Sequence, residues 1–183
     1  MGSIIKVNEY KDFGNNAIMT SDGAGNVTVN AQGLQNTPSF EAYLSANQTP
    51  SDATDTKVEF DTEVFDTDSA YDTSTYKFTI PTGAAGKYMI YCCLFFGSTS
   101  ETIDTANLYI YKNGAVHTRL QMRNASHEAN GYTITENKIM DLAVSDYIEI
   151  YGYNDVSSGT PNFAGVSSGK IQSRFGAYKL IGA

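Results

Sequence analysis

Several short stretches hold residue types that do chemistry at the right spacing. Gly165-Val166-Ser167-Ser168-Gly169 matches the G-x-S-x-G pattern of a nucleophile elbow. That chemistry needs a strand–turn–helix setting, with an acid and then a histidine later in the chain. Nothing after Ser167 is Asp, Glu or His, so the match reads as a Gly/Ser loop. Gly83-Ala84-Ala85-Gly86-Lys87 hints at a phosphate loop, but Pro81 stands where the first Gly belongs and Tyr88 where the magnesium-binding hydroxyl belongs. Asp66-Thr67-Asp68-Ser69-Ala70-Tyr71-Asp72 begins like a calcium loop; Ala70 removes the third ligand, and Tyr71 replaces the Gly of the sharp turn. Asp66 and Asp68 stay as weak calcium candidates, and otherwise belong to the solvated Asp/Thr-rich segment 52–72. His117 and His127 flank a hairpin, with no Cys or third His to complete a zinc site. No acid pair stands out for glycosidase chemistry, and Trp, useful for stacking on sugars, is absent. The chain reads as non-catalytic, without a cofactor, and calcium is the one ion left open.

Composition points the same way. The 183 residues suffice for one domain, or one domain with a small appendage, and for a core without disulfides or metals. Thr, Tyr, Val, Ile, Gly, Asn and Ser dominate, and no stretch sustains helical apolar spacing, so the class is all-β. A net charge of -8 with twelve scattered basic residues argues against nucleic acid. The most apolar run, Tyr88 to Phe96, falls far short of the ~20 residues that span a bilayer, so membrane insertion is not expected. Met1-Gly2-Ser3-Ile4-Ile5-Lys6 has no apolar run of the secretory kind, and Lys6 spoils a myristoylation match. The adjacent Cys92 and Cys93 diverge along a strand and read as free and buried, which suits a reducing compartment.

The elements are organised around Tyr71–Phe96: a short half-exposed strand, a Pro/Gly-rich connection, and a strand apolar on both faces. On the latter, Tyr88, Ile90, Cys92, Leu94 and Phe96 point one way, and Met89, Tyr91, Cys93 and Phe95 the other. Such a strand needs covering on both sides. Around it, Phe40 to Leu44, Lys57 to Phe60 and Glu63 to Phe65 alternate, and Asn113-Gly114 suits a type I′ hairpin turn. Val116 to Met122 alternates with one wet face, a Gly/Ser loop runs from Asn154 to Gly169, and Phe175 to Ile181 forms the last strand. Ten or so short strands at such spacing imply a two-sheet sandwich. Several strands carry Tyr on an outward face: Tyr109 and Tyr111 opposite Leu108 and Ile110, then Tyr147, Tyr151 and Tyr153 opposite Ile148 and Ile150, and Tyr178, with Leu180, opposite Phe175 and Ala177. Tyrosine is favoured at interfaces, since its ring is apolar and its hydroxyl tolerates partial solvation. These six, with Tyr91 and Phe95, are the candidate subunit-interface residues.

Residues 1–38 differ from the remainder. Ile4–Val7, Ala17–Thr20 and Val27–Asn30 could be short strands between turns, too short and polar to bury a core of their own. They read as an extended arm that orders on a partner or on sister chains.

Tyr71-Asp72-x-x-Thr75-x-x-Phe78-x-x-Pro81 followed by Gly86-x-Tyr88 resembles the signature of the globular head of complement component 1q, a fold shared with tumour necrosis factor. The resemblance continues in order through Phe40 and Leu44, Phe60 and Phe65, Lys112-Asn113-Gly114, Met140-Asp141-Leu142, Ser145-Asp146, and Phe175 with Tyr178-Lys179-Leu180. It spans about residues 39–183. Two departures stand out: Ser145 replaces the usual Gly, and Gly176 falls one residue after Phe175 rather than two, where a local bulge is expected. In the arm, Ile5-Lys6-Val7-Asn8, Gly14, Ala17-Ile18 and Asp22-Gly23-x-Gly25-Asn26-Val27-Thr28-Val29 resemble a leader on virion appendage proteins of tailed phages.

Together the resemblances imply a ten-stranded jelly-roll head over residues 39–183, homotrimeric, preceded by a virion-anchoring or trimerising arm over 1–38. The expected function is that of a non-enzymatic bacteriophage structural protein: a head fibre, capsid decoration or tail-fibre tip. It would be assembled in the host cytoplasm and displayed on the virion surface. Its expected partners are two sister chains, other virion proteins through the arm, and a host surface receptor or glycan. The rival readings are a secreted or cellular complement-like recognition module and a β-sandwich carbohydrate-active enzyme.

Overall fold

The computed structural model describes residues 7–30, 35–100, 102–124 and 129–181, and contains no helix among them. Strands β1 (Glu9–Lys11), β2 (Ala17–Ser21) and β3 (Val27–Val29) pair antiparallel into a three-stranded meander. Of the expected strand at Ile4–Val7, residues 4–6 lie outside the described residues and Val7 is not in a strand; β1 forms a little further on.

From Ser39 the chain builds β4 (Ser39–Tyr43), β5 (Thr56–Lys57), β6 (Thr62–Asp66), β7 (Tyr71–Asp72), β8 (Lys77–Thr79) and β9 (Gly86–Ser98). Next come β10 (Ile103–Lys112), β11 (Ala115–Arg123), β12 (Gly131–Leu142) and β13 (Tyr147–Val156). The chain ends with β14 (Pro161–Phe163), β15 (Val166–Ser167), β16 (Lys170–Ile171) and β17 (Arg174–Lys179). A first sheet runs β12-β9-β17-β4-β6 with β14 on β9; a second runs β11-β10-β13-β8-β7 with β5 on β13. Apart from the β10–β11 hairpin, the long strands from β9 to β13 change sheet at each step, a connectivity that suits a jelly-roll sandwich.

The period of two predicted for β9 is realised in full. Tyr88, Ile90, Cys92, Leu94 and Phe96 are all at 0% exposure, while Met89, Tyr91, Cys93 and Phe95 are half-buried on the outer face. Both cysteines are free; Cys93, contrary to expectation, is not buried, because it belongs to the outward parity. Between the sheets lies an aromatic cluster. The Phe40 ring stacks on Tyr71 at 4.6 Å and Phe78 at 4.8 Å, and meets Phe175 edge-on at 5.0 Å. The buried Tyr71 hydroxyl donates to the Phe60 carbonyl at 2.9 Å, and burial pushes its pKa up. Gly152 is dictated by packing: a Cβ there would run into the Phe163 ring.

Several local expectations change in the folded chain. The segment 58–61 alternates in burial, with Val58 and Phe60 inside, but only Thr56–Lys57 joins a ladder. Val64 and Phe65 are both exposed, because β6 is an edge strand and its pairing with β4 slips at Glu41/Ala42. That slip is the bulge of this sheet; β17 runs without one against both β9 and β4. The supposed loop 154–169 instead contains the end of β13, then β14 and β15. In the elbow-like motif, Ser168 (φ 50°) and Gly169 (φ 71°) form the two-residue turn of the β15–β16 hairpin, so Ser167 sits in a strand. Asn113 (φ 54°) and Gly114 (φ 77°) make the expected turn between β10 and β11.

Asp146 ties that hairpin to the turn before β13. Its carboxylate accepts from Lys112 Nζ at 2.8 Å, Asn113 Nδ2 at 2.7 Å and the Ala143 amide at 2.9 Å. Those donors, Lys112 first, hold its pKa down from 3.8 to about 2. A depressed carboxylate stabilises the fold above its unfolded value and loses that contribution as pH falls toward the folded one. The stability gap between wild type and Asp146→Asn, read by urea unfolding, is therefore expected to be largest above about pH 5, to shrink below about pH 4, and to close as pH falls through about 2. In the aromatic cluster, Phe175→Ala should cost about 3–5 kcal/mol in the same measurement at neutral pH.

Candidate functional site

The expected interface residues fall on opposite outer faces of the sandwich. Tyr91, Phe95 and Tyr178 belong to the first sheet; Tyr109, Tyr111, Tyr147, Tyr151 and Tyr153 belong to the second. The structure brings each set together and keeps the two apart.

On the first sheet, cross-strand register sets Met89 between Ile139 and Tyr178, and Tyr91 between Asn137 and Gly176. Glu41 pairs with Gly176 on β17's other side and with Phe65 on β6. The Tyr91 ring lies across Gly176, where any Cβ would overlap the phenol, and its hydroxyl donates to Glu41 Oε2 at 2.9 Å. Burial first, then the bond to the Glu41 carboxylate, pushes the Tyr91 pKa up. Gly176, one place earlier than the resemblance expected, is thus the residue that lets a large ring lie flat on the sheet. The surrounding apolar side chains stay open: Ile139 is 54% exposed, Phe65 45% and Tyr178 38%.

The second sheet's face is largely partnered within the chain, although the buried Asn107 Oδ1 has no hydrogen bond among the described residues. Lys57 Nζ lies 2.6 Å and Lys77 Nζ 3.7 Å from the buried Glu149 carboxylate. Burial alone would lower the Lys57 pKa, but hydrogen bonding and charge from Glu149 outweigh it and raise it. Lys77 also sits 4.2 Å over the Tyr147 ring. Tyr111 stacks on Tyr151 at 4.1 Å and meets Tyr109 edge-on at 6.1 Å, while Asn107 Nδ2 donates to the Tyr109 hydroxyl at 3.0 Å. Burial leads the upward pKa shifts of Tyr109, Tyr111, Tyr151 and Tyr153.

The weak calcium candidates serve a turn. Asp66 accepts from the amides of Tyr71 at 2.8 Å and Asp68 at 3.2 Å, and Asp68 accepts from the Thr67 hydroxyl at 2.9 Å. Among the described residues no group of three or more His, Cys, Asp or Glu is placed to hold a metal. His117 is exposed on β11 beside Thr118, and His127 lies outside the described residues. Sequence reasoning missed the Lys57–Glu149–Lys77 cluster; its charges come from three separate strands, and no local pattern joins them.

No protein-family model matches the sequence, and no curated protein does. Solved structures do match the fold. The globular domain of zebrafish complement 1qA protein superposes with a TM-score of 0.54 at 11% identity, covering 78% of this chain and 97% of that one. Eiger TNF from S. frugiperda gives 0.54 and 11%, covering 79% and 93%. The protein is an all-β jelly-roll sandwich of the kind seen in the complement 1q globular domain and tumour necrosis factor.

The seating of Tyr91 is directly testable. Gly176→Ala should destabilise by about 1–3 kcal/mol through overpacking. Adding Tyr91→Ala to that variant should cost far less than Tyr91→Ala alone, which a double-mutant cycle by chemical denaturation measures.

Proposed function

We propose that this protein is a non-enzymatic structural and adhesive module that forms a homotrimer through the outer face of the first sheet. One observation carries the reading. At the centre of that sheet Met89, Tyr91, Cys93 and Phe95 are only half-covered by their own chain, and Ile139, Phe65 and Tyr178 around them are exposed. A contiguous apolar face of that kind marks a contact surface. On the second sheet Tyr109, Tyr111 and Tyr151 pack ring against ring and Tyr147 lies under Lys77, so that face is left out of this interface. The likeness of the arm to virion appendage leaders supports a finer reading: a tailed-phage surface appendage, held to other virion proteins by residues 1–38, whose trimeric heads meet the host surface. Threefold display raises weak contacts to useful avidity.

Light scattering on the purified chain at tens of micromolar should give the trimer mass. Phe95→Asp should shift it to smaller species that keep the strand circular dichroism, and Tyr153→Ser on the opposite sheet should leave it trimeric. A folded wild-type monomer rejects the assembly. Immunogold labelling of particles with an antibody to residues 39–183 tests the virion placement, and bare particles reject it.

A further inference from the structure

A cleft of about 550 Å³ opens beside the β4–β5 connection, within the range of small-ligand sites. Its walls come from the segments 44–51 and 56–61 and from Tyr76. They are riveted in place. Gln48 Nε2 donates to the Lys57 carbonyl at 2.8 Å, and Gln48 Oε1 accepts from the Glu59 amide at 3.0 Å. Gln48 also exchanges both backbone hydrogen bonds with Phe163, at 2.8 and 3.0 Å. Asn47 Oδ1 accepts from the Gly165 amide at 3.0 Å, which fixes the side chain and leaves its amide hydrogens free of any partner among the described residues. On the floor, Asp61 is locked by Ser45, through the amide at 2.8 Å and the hydroxyl at 2.5 Å. The Glu59 carboxylate, by contrast, has neither a hydrogen bond nor an ion pair among the described residues. Tyr76 is half-buried on the rim, its backbone held at φ 56° by the bond from its amide to the Asp72 carbonyl at 2.6 Å.

These features fit one ligand chemistry. The cleft offers an open carboxylate acceptor, a fixed carboxamide donor, hydroxyls such as those of Thr49 and Ser51, and one aromatic ring. A ligand must therefore donate and accept hydrogen bonds repeatedly and present an apolar C–H face, which is how a pyranose ring is built. Among the described residues no Lys, Arg or His lines the cleft, and the two charged side chains that do, Glu59 and Asp61, are acids. An anionic sugar would meet like charge from these two acids, with the Lys57 ammonium beside Thr75 already paired with Glu149, whereas a neutral or amino sugar would not. We propose that this cleft is a carbohydrate-binding site selective for neutral or amino sugars over sialylated or sulfated ones, with Glu59 as the principal acceptor and Tyr76 as the stacking ring. As a receptor contact this rests on the adhesive reading above, and it names the chemistry of the partner that reading requires.

The test is a printed array of neutral, amino-sugar, sialylated and sulfated oligosaccharides probed with the full chain, followed by calorimetry on the hits. Neutral or amino-sugar glycans should bind, and acidic ones should not. Glu59→Gln should weaken binding about tenfold or more by removing charged hydrogen bonds. Tyr76→Asn, which removes the ring but tolerates the left-handed backbone, should weaken it comparably. Both variants should keep the wild-type circular dichroism, since neither side chain is buried. An array with no neutral or amino-sugar binder, hits confined to acidic glycans, or affinities unmoved by both substitutions would each overturn the proposal. Mass measured on the same samples separates the two readings. A monomer that binds neutral glycans rejects the assembly and keeps the cleft; a trimer that binds none rejects the cleft alone.

Discussion

Everything in the head leans on β9. Its inward side chains are wholly buried against the aromatic cluster, and its backbone is laddered to β12 on one side and β17 on the other. At roughly 1.5–3 kcal/mol per fully buried large apolar side chain, the inward row makes a large share of the hydrophobic stabilisation. A one-residue slip in either ladder would turn that row out to solvent. The register of the whole first sheet is therefore set by this one strand, and with it the composition of the sheet's outer face.

The two outer faces solve the same problem in opposite ways. Each carries aromatic side chains that water alone would cover poorly. On the second sheet the chain supplies the cover itself: rings stack on rings, and two lysines close over one buried carboxylate. Breaking such an ion group by removing one member is costly, while its net contribution to stability is small. On the first sheet the chain stops short. Gly176 lets the Tyr91 ring lie down and Glu41 holds its hydroxyl, but the row beside it remains open. A face that is half-organised and apolar is suited to a partner that completes it.

On the readings proposed above, this division would let one small domain carry two duties without conflict. The first sheet's face is available for assembly. The cleft between the β4–β5 connection and Tyr76 shares only Asn47 with the smaller crevice that Phe95 helps to line. A contact at Phe95 and a ligand at Glu59 thus draw on largely separate residues. The rigid anchoring of Gln48 and Asn47 joins the cleft walls to the sandwich, so a ligand would meet a preformed surface rather than a loop that must be ordered first.

What the sequence determined by itself is what neighbours along the chain can decide. Alternation along Tyr88–Phe96 revealed which side chains face inward, because a strand's pleat has a period of two whatever surrounds it. Asn113-Gly114 announced its hairpin, because a type I′ turn asks for positive φ at just those two places. The all-β class followed from the same local signals. Parity, however, says only which side of its own strand a residue occupies. β9 and β10 follow one another in the chain yet lie in different sheets, as do β12 and β13. Tyr91 and Tyr109 look equivalent in sequence, and the fold sends them to opposite faces. The Lys57–Glu149–Lys77 group, the seat of Tyr91 on Gly176 and the cleft joining Glu59 to Tyr76 were likewise decided only by tertiary structure. Each unites residues from separate strands or loops, and the crossovers that bring them together leave no local mark in the sequence.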